Sequence, residues 1–155
     1  MSASHVPVSD IKVVPTAPGW AVEGRPRETF RIIQVFHPAN LPGKQMILGK
    51  VYMPPGAASP PHTHGGAAII AVTLEGEVLN QMNCGAPEIA KRGEHWYEAP
   101  GCHHQRSENN TERHAEFIAV LVVDDEVVKD GYHNIFVLDA ERDAAKEEEE
   151  GQKKA

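Results

Sequence analysis

The stretch Gly56-Ala57-Ala58-Ser59-Pro60-Pro61-His62-Thr63-His64, followed later by Pro100-Gly101-Cys102-His103-His104, decides how this sequence is interpreted. Two histidines two positions apart on a strand point to the same face of a sheet. A third histidine can reach that face from another strand if the sheet closes into a barrel. Three imidazoles around one point form a transition-metal site with open coordination positions. The pattern therefore predicts a metal site made by His62, His64 and a third histidine, for which His103 and His104 are the candidates.

Length and composition favour one globular domain that is rich in strands. The chain has 155 residues, of which 41% are hydrophobic and 24% are charged, which is ordinary for a globular protein. It is long enough to bury a core without a disulfide or a structural metal. Twelve prolines and thirteen glycines are spread along the chain and predict many turns between short strands. A net charge of −7 argues against a nucleic-acid partner, which would favour a basic surface.

The N-terminus and the cysteines indicate the expected compartment. Residues 1–7 have neither the basic nor the apolar region of a signal peptide, and no apolar run approaches the ~20 residues of a membrane span. Cys84 and Cys102 have no tight CxxC spacing, so we expect free thiols in a reducing cytoplasm. Cys84 is interpreted as a turn residue beside Gly85, whereas Cys102 lies inside the proposed site.

Hydrophobic patterning divides the chain into an N-terminal arm, a strand-rich body and a charged tail, assigned to residues 1–28, 29–138 and 139–155. The arm contains four prolines and one short expected strand around residues 11–14. The tail has helical propensity but almost no apolar stripe, which predicts a solvated helix or a frayed end. Strands are predicted at Thr29–Phe36, Gln45–Met53, Ala67–Leu74, Glu77–Asn83, Glu88–Lys91, Glu94–Glu98, His103–Ser107, His114–Val123 and Tyr132–Leu138. This all-β pattern is typical of an antiparallel sandwich or barrel.

The glycines around these histidines give the sequence a resemblance to the two motifs of the cupin superfamily. The first motif is matched at Gly56, His62, His64 and Gly76, and the second at Gly93, Gly101 and His104, with the motif's proline displaced by one to Pro100. The motif's asparagine is displaced as well, to Asn109. The resemblance spans residues from about 45 to 123 and implies a double-stranded β-helix, or jelly-roll, barrel. It also implies a homodimer, which is common in cupins.

One position departs from the first motif, because Ile69 stands where the motif has a metal-binding glutamate. The site has either lost its metal or become a three-histidine site, and the presence of all three histidines favours the second interpretation. That ligand set resembles the cupin dioxygenases that cleave β-diketones and bind ferrous iron. The resemblance implies Fe(II), with Zn(II), Mn(II) and Ni(II) as alternatives because imidazole suits them all. Three neutral ligands would favour an anionic, chelating substrate.

Glu98 is the candidate catalytic residue, six positions before His104. An unpaired carboxylate on a core-facing strand is costly to bury, but the cost falls near a metal. Glu98 is therefore interpreted as a fourth ligand, an acceptor from a ligand histidine, or a general base. The alternative is an exposed residue that points out of the barrel. If Glu98 points inward, Trp96 does as well and lines the substrate pocket.

Two more polar residues are candidates for the substrate pocket. Gln81 lies on the return strand after Gly76, where cupins often place a substrate-contacting side chain, although a solvent-facing glutamine fits the pattern equally. Arg106 has the strand parity of His104 and is a candidate for binding a carboxylate, unless it pairs with Glu108. His103 has the opposite parity and is expected to point away from the metal. An irregular loop would make His103 a ligand, but the spacing of the cupin motif favours His104.

Three functional hypotheses follow from these residues. The first is a non-haem iron dioxygenase that acts on a small polar, enolisable or carboxylated molecule. The second is a redox-neutral metal-dependent decarboxylase, isomerase or lyase in which Glu98 is the acid or base. The third is a non-catalytic barrel that binds a small molecule, for which Ile69 is the best support. The ligand-set resemblance places the dioxygenase slightly ahead, and strands that are apolar on both faces again predict a homodimer.

Overall fold

The computed structural model describes residues 8–83 and 85–154, so the turn predicted at Cys84 lies outside the described residues. Thirteen strands and two α-helices follow one another along these residues. The strands are β1 (Val13–Pro15), β2 (Trp20–Val22), β3 (Thr29–Phe36), β4 (Lys44–Met53), β5 (Ala58–Ser59), β6 (His62–Thr63), β7 (Ala68–Glu75), β8 (Glu77–Met82), β9 (Glu88–Lys91), β10 (His95–Glu98), β11 (His104–Glu108), β12 (Ala115–Asp124) and β13 (Val137–Leu138). The helices are α1 (Asp125–Val128) and α2 (Asp139–Lys153), and 3-10 turns cover Val8–Asp10 and Tyr132–Ile135.

The longest strands form a five-stranded antiparallel sheet in the order β10-β7-β12-β4-β3. Strands β4 and β12 pair without a break from Ala115 opposite Met53 to Asp124 opposite Lys44. In both strands every second residue is buried, as expected for a sheet with one face on the core. The inward positions carry Ile47, Val51, Phe117 and Leu121, which belong to one hydrophobic core.

The second sheet is built from shorter strands in the order β13-β6-β11-β8-β9, and β5 also pairs with β11. Its register places His104 opposite His62. A bulge between His104 and Arg106 shifts the pairing of β11 with β8. Such a bulge adds one residue to one strand and so changes which side chains face inward beyond it. The barrel interior lies between this sheet and the five-stranded sheet.

The outer face of the five-stranded sheet carries large apolar side chains in the open. Ile70 and Tyr97 are 54% and 57% exposed, and Phe36 and Tyr52 are also exposed. Strands β7 and β12 are therefore apolar on both faces, as their sequences indicate. The homodimer expected from that pattern stays a prediction.

The all-β double-stranded β-helix class is confirmed, and the eight strands predicted between residues 29 and 123 agree with the structure to within one residue at each end. The predicted strand at Tyr132–Leu138 is wrong: Tyr132–Ile135 is a 3-10 turn, and only Val137–Leu138 pairs, with β6. Its apolar residues resemble a strand because Ile135 is buried in the core. The tail forms α2, which has no buried residue. Among residues 8–83 and 85–154, neither α1 nor α2 has the length and hydrophobicity that a membrane-spanning helix needs.

Candidate metal centre and its cavity

Strands β6 and β11 bring the three predicted histidines together inside the barrel. His62 and His104 are opposite one another in the ladder, and His64 follows β6 in the chain. One ligand nitrogen from each ring can be chosen so that all three lie within 4.8 Å of one another. His62 and His104 are 2% and 3% exposed, and His64 is half-buried. The structure therefore assembles the group that the HxH spacing and the later histidine predict.

Each of the three imidazoles is oriented by an oxygen atom at one ring nitrogen. Nδ1–H of His62 donates to the carbonyl oxygen of Pro60 at 2.7 Å, and Nδ1–H of His64 donates to that of Ile135 at 2.8 Å. His104 uses the opposite nitrogen, since Nε2–H donates to Oδ1 of Asn80 at 3.0 Å. These bonds leave Nε2 of His62, Nε2 of His64 and Nδ1 of His104 as the ring nitrogens available to a metal. Outer hydrogen bonds of this kind fix the tautomer and the ring orientation of metal-binding histidines.

Burial keeps His62 in the form that a metal needs. Desolvation, and then the nearby charges of His104 and His64, lower the pKa of His62 well below its usual value. The ring is therefore neutral at physiological pH, and a neutral imidazole is the ligand form of histidine.

The turn after His64 depends on a glycine. Gly65 has a φ of +63°, in the left-handed region, and a Cβ on it would stand 2.4 Å from the carbonyl oxygen of Asn134. That backbone leads directly into Ile135, whose carbonyl oxygen orients His64. The close approach of these two segments therefore sets the position of a ligand ring.

Glu98 faces the histidines from the end of β10. Its Oε1 lies 3.2 Å from Nδ1 of His104, and its Oε2 lies 3.0 Å from Nε2 of His64. The indole N–H of Trp96 donates to Oε1 at 3.1 Å. Desolvation would raise the pKa of the Glu98 carboxyl, but the interactions of the carboxylate with His104 and then with His64 lower it well below its usual range. Glu98 is therefore a buried carboxylate held against the free nitrogens of two candidate ligands.

The register of β7 and β10 explains how a carboxylate reaches this point when Ile69 occupies the motif's glutamate position. Ile69 and Glu98 are direct partners in the ladder, and both side chains face inward. Directly opposite side chains have Cβ atoms about 4.5–5.5 Å apart. Glu98 can thus supply from the neighbouring strand the carboxylate that the first motif lacks in this sequence.

The donor set fits a single divalent metal ion. Nε2 of His64 and Oε2 of Glu98 are both buried and have no hydrogen bond of acceptable geometry, although they lie only 3.0 Å apart. Buried polar atoms almost always have a hydrogen-bond partner or a metal. Two such atoms that face each other without one therefore indicate that a further group, such as a metal ion, binds between or beside them. Imidazole and carboxylate ligands are compatible with Fe(II), Zn(II), Mn(II) and Ni(II) alike.

A cavity of about 260 Å³ opens beside the histidines. The three histidines and Glu98 contribute to its wall, together with apolar side chains from the five-stranded sheet and polar side chains from the arm and from β5 and β11. The residues that line the cavity are Arg27, Glu28, Phe30, Val51, Ser59, His62, His64, Ile69, Ala71, Glu98, His104, Ser107, Phe117, Ala119, Leu121, Ile135 and Phe136. The candidate metal centre therefore has an adjacent space for a small molecule.

Trp96, predicted to line the pocket, faces inward but does not line this cavity. Its ring packs edge-on against Phe117, with centroids 4.8 Å apart, and its N–H holds Glu98. Trp96 is thus a support for the carboxylate. Cys102 is buried nearby, and burial, followed by the charge of Glu98, raises the pKa of its thiol.

Gln81 and Arg106 also lie outside the lining of this cavity. The Gln81 amide donates to the carbonyl oxygen of Gly85, and Asn80, its neighbour, is the residue that faces His104. Arg106 is buried beside Glu108, 3.5 Å from Nε to Oε2. The parity argument placed Arg106 with His104, but the bulge between them gives Ser107 the cavity-facing position.

His103 points away from the other histidines, in agreement with its parity. Its Nε2 lies 2.7 Å from Oδ2 of Asp139, the first residue of α2. This contact joins the loop before His104 to the C-terminal helix.

Several residues of the site have only weak sequence signals. Asn80 could have been predicted to point inward, because it lies on the same face of β8 as Val78, which is apolar and fully buried. Phe136 packs against His62, with ring centroids 4.2 Å apart, and Arg27 lies over the Phe136 ring at 5.8 Å. Phe136 and Arg27 come from segments far apart in the chain, so strand periodicity carries no signal for their contact.

Comparison with known proteins identifies the domain type. The family model described as a cupin domain matches residues 49–123. Among curated proteins, none matches the chain in sequence.

Solved structures with similar folds include proteins of different descriptions. An uncharacterised conserved protein with a double-stranded beta-helix domain from Klebsiella pneumoniae has 16% identity, a TM-score of 0.50, and coverage of 77% of this chain and 90% of that one. A protein from Thermus thermophilus has 20% identity, a TM-score of 0.50, and coverage of 61% and 82%. Oxalate oxidase in complex with the substrate analogue glycolate has 21% identity, a TM-score of 0.46, and coverage of 50% and 45%. The matched region thus spans less than half of the oxalate oxidase chain, and the first two likenesses show the fold alone.

Proposed function

The chain belongs to the cupin superfamily, and on this premise we propose that it is a metal-dependent enzyme for a small polar, enolisable or carboxylated molecule. One divalent transition metal would be held by His62, His64 and His104. The observation that carries the proposal is that a hydrogen bond at one nitrogen of each ring leaves the other nitrogen available to a metal. The adjacent cavity gives a substrate access to that point.

The first candidate reaction is that of a non-haem iron dioxygenase. When bound, Fe(II) would supply activation of O2 and of a chelated substrate. The chain's own residues would orient the substrate and exclude water, because apolar side chains form most of the cavity wall. Glu98 would accept the proton that an enolisable substrate loses, from its position against the ligand rings.

A second candidate is a redox-neutral decarboxylase, isomerase or lyase, and the position of Glu98 favours it. If the carboxylate itself occupies a metal position, fewer positions remain than a chelating substrate and O2 together need. The metal would then act as a Lewis acid for the bound substrate. Glu98 also weakens the case for a non-catalytic barrel, since the carboxylate that Ile69 cannot supply is available from β10.

The metal is tested first, by elemental analysis of protein purified without a histidine tag and without chelator. We expect about one metal ion per chain, and none in the double variant His62→Ala/His64→Ala. The variant His103→Ala is the matched control, because His103 contacts Asp139 and not the other three rings. No metal in the unmodified protein, even after incubation with Fe(II) or Zn(II), would contradict the proposal.

The reaction class is tested with the Fe(II)-loaded protein and a panel of diketones, enols and 2-oxo acids. Substrate-dependent O2 uptake that disappears in His104→Ala, but persists in His103→Ala, is expected for the dioxygenase. Product formation under strict anaerobiosis would instead support the redox-neutral enzyme. A metal-loaded protein that binds these molecules but converts none of them would support the binding barrel.

A further inference from the structure

Three small residues lie in one row of the sheet that borders the cavity beside the metal centre. Gly49 and Ala119 are paired between β4 and β12, and Ala119 is in turn paired with Ala71 between β12 and β7. They form one row across the inner face of the five-stranded sheet. The next inward positions on β12 carry Phe117 and Leu121, so the row with the least side-chain volume lies between larger neighbours. Ala71 and Ala119 are buried and line the cavity.

Gly49 has a different role, because its lack of a side chain allows an aromatic ring to pack directly against it. A Cβ on Gly49 would stand 2.3 Å from the Phe30 ring, so the ring occupies the place of a side chain there. Phe30 also lines the cavity. The space that remains is therefore over Ala119 and Ala71, beside the histidines.

The two charged residues of the arm that line the cavity, Arg27 and Glu28, neutralise each other. Arg27 donates from Nε and Nη2 to the two oxygens of Glu28, and it donates from Nη1 to the carbonyl oxygen of Trp20. Ser59 donates to Oε2 of Glu28 at 2.7 Å. Arg27 is the one lysine or arginine among the described residues that line the cavity. A second carboxylate on a ligand would therefore be buried with no free cation to pair with, which is costly.

From these observations we propose that the centre selects molecules with a single anionic chelating head on a compact apolar body, and that Ala71 and Ala119 set the space for that body. The inference rests on the proposed metal-dependent function for the head and on the row of small residues for the body. The cavity holds the volume of about nine water molecules at about 30 Å³ each. A ligand of roughly ten non-hydrogen atoms fits, such as one aromatic ring or a short branched chain joined to the head.

Two hydroxamates with the same chelating head test the proposal on the Zn(II)-loaded protein. Benzohydroxamate carries a phenyl ring, whereas acetohydroxamate carries only a methyl group. By calorimetry, benzohydroxamate is expected to bind about tenfold tighter or better, because its ring leaves water for an apolar wall. Oxalate, which has two carboxylates and no apolar body, is expected to bind more weakly than benzohydroxamate. Equal binding of the two hydroxamates would overturn the proposal.

Larger side chains at Ala71 and Ala119 test whether these residues determine the space for the apolar body. Ala71→Leu, and separately the smaller change Ala119→Val, are expected to weaken benzohydroxamate about tenfold while acetohydroxamate affinity and zinc content stay unchanged. Ala68→Leu is the matched control, since Ala68 lies on the same strand but has the parity of the outward residue Ile70. An equal loss for both hydroxamates in the filled variants would contradict the assignment.

A metal-free measurement separates failure of this inference from failure of the proposed function. Toluene has the apolar body without the head, and its binding to the chelator-treated protein can be followed by ligand-observed NMR. Binding that Ala71→Leu abolishes and Ala68→Leu preserves is expected. If zinc does not bind but toluene behaves in this way, only the metal function fails. If toluene does not bind, or binds equally to Ala71→Leu, the proposed body site is wrong.

Discussion

The inner faces of the two sheets enclose the same cavity but have different chemistry. The long strands β4, β7 and β12 present an apolar wall, whereas the short strands β6, β8 and β11 present His62, Asn80 and His104. In a long unbroken ladder nearly all backbone oxygens are used within the sheet. The short strands leave carbonyl groups such as that of Pro60 free to accept from an imidazole. Polar side chains can therefore be satisfied where the ladder is interrupted, and apolar ones are stabilised where it is continuous.

Glu98 is the exception to this contrast between the sheets, because it is a polar site residue that belongs to the five-stranded sheet. It lies at the end of β10, the edge strand of that sheet, opposite Ile69. Its carboxylate accepts a hydrogen bond from Trp96 and lies against His64 and His104, and no free carbonyl group is involved. The contrast between the sheets predicts that truncating a large side chain of the apolar wall lowers stability, whereas substitutions at the polar positions change metal binding.

The largest effect is expected at Phe117 in the apolar wall. Phe117→Ala should lower the free energy of unfolding by about 3 kcal/mol, because it removes a buried ring that packs on Trp96. Metal content should stay at that of the unmodified protein. Urea denaturation measures the first quantity and elemental analysis the second. Ile118→Ala, on the outward face of the same strand, is the control and should cost less than half as much. A loss of metal without a loss of stability would reverse the comparison.

A smaller effect, on binding and not on stability, is expected at Glu98. Glu98→Gln keeps the shape of the side chain but removes its charge, and it should weaken Zn(II) binding about 10–100-fold in a chelator competition titration. The exchange Glu98→Ile with Ile69→Glu should recover part of that loss, because the two positions are partners across the strands. If Glu98→Gln binds zinc normally but has no turnover, Glu98 is a base and not a ligand.

The smallest effect is the pH dependence of the metal-free protein. Because the folded-state pKa of His62 lies below its usual value of 6.5, the unfolded chain binds the extra proton first as the pH falls. Unfolding free energy should therefore decrease below about pH 6.5, by at most about 1.4 kcal/mol per pH unit for this group, and should be insensitive to His62 above it. Urea titrations between about pH 5 and 7.5 would detect this. His62→Gln should flatten the dependence, and His103→Gln should not.

Where strands alternate regularly, the sequence was sufficient to predict the fold. Strands β4, β7 and β12 are long, apolar on the inner face and bounded by turn residues, so their limits agree with prediction. His62 and His64 were identified because HxH places two rings on one face, and His104 was identified by the spacing of the second cupin motif. Glu98 was singled out by the cost of burying a carboxylate.

The failures have one physical origin, which is contact between segments distant in the chain. The bulge after His104 reverses the parity that placed Arg106 in the pocket, and nothing in the local pattern indicates it. The pairing of Ile69 with Glu98 joins β7 to β10, which are separated by β8 and β9. Ile135 resembles a strand residue in sequence, but the chain turns there and presents its carbonyl oxygen to His64.

The two glycines after His64 should differ in their tolerance to substitution. Gly65 and Gly66 both have positive φ, but a Cβ on Gly65 would collide with the backbone of Asn134, whereas one on Gly66 would meet nothing within 4 Å. In a saturation library selected for function, position 65 should return glycine alone. Position 66 should also tolerate asparagine and aspartate, which adopt left-handed backbone at modest cost. Two neighbouring glycines would thus accept substitutions at different rates, and the carbonyl oxygen of Asn134 would be the cause of the difference.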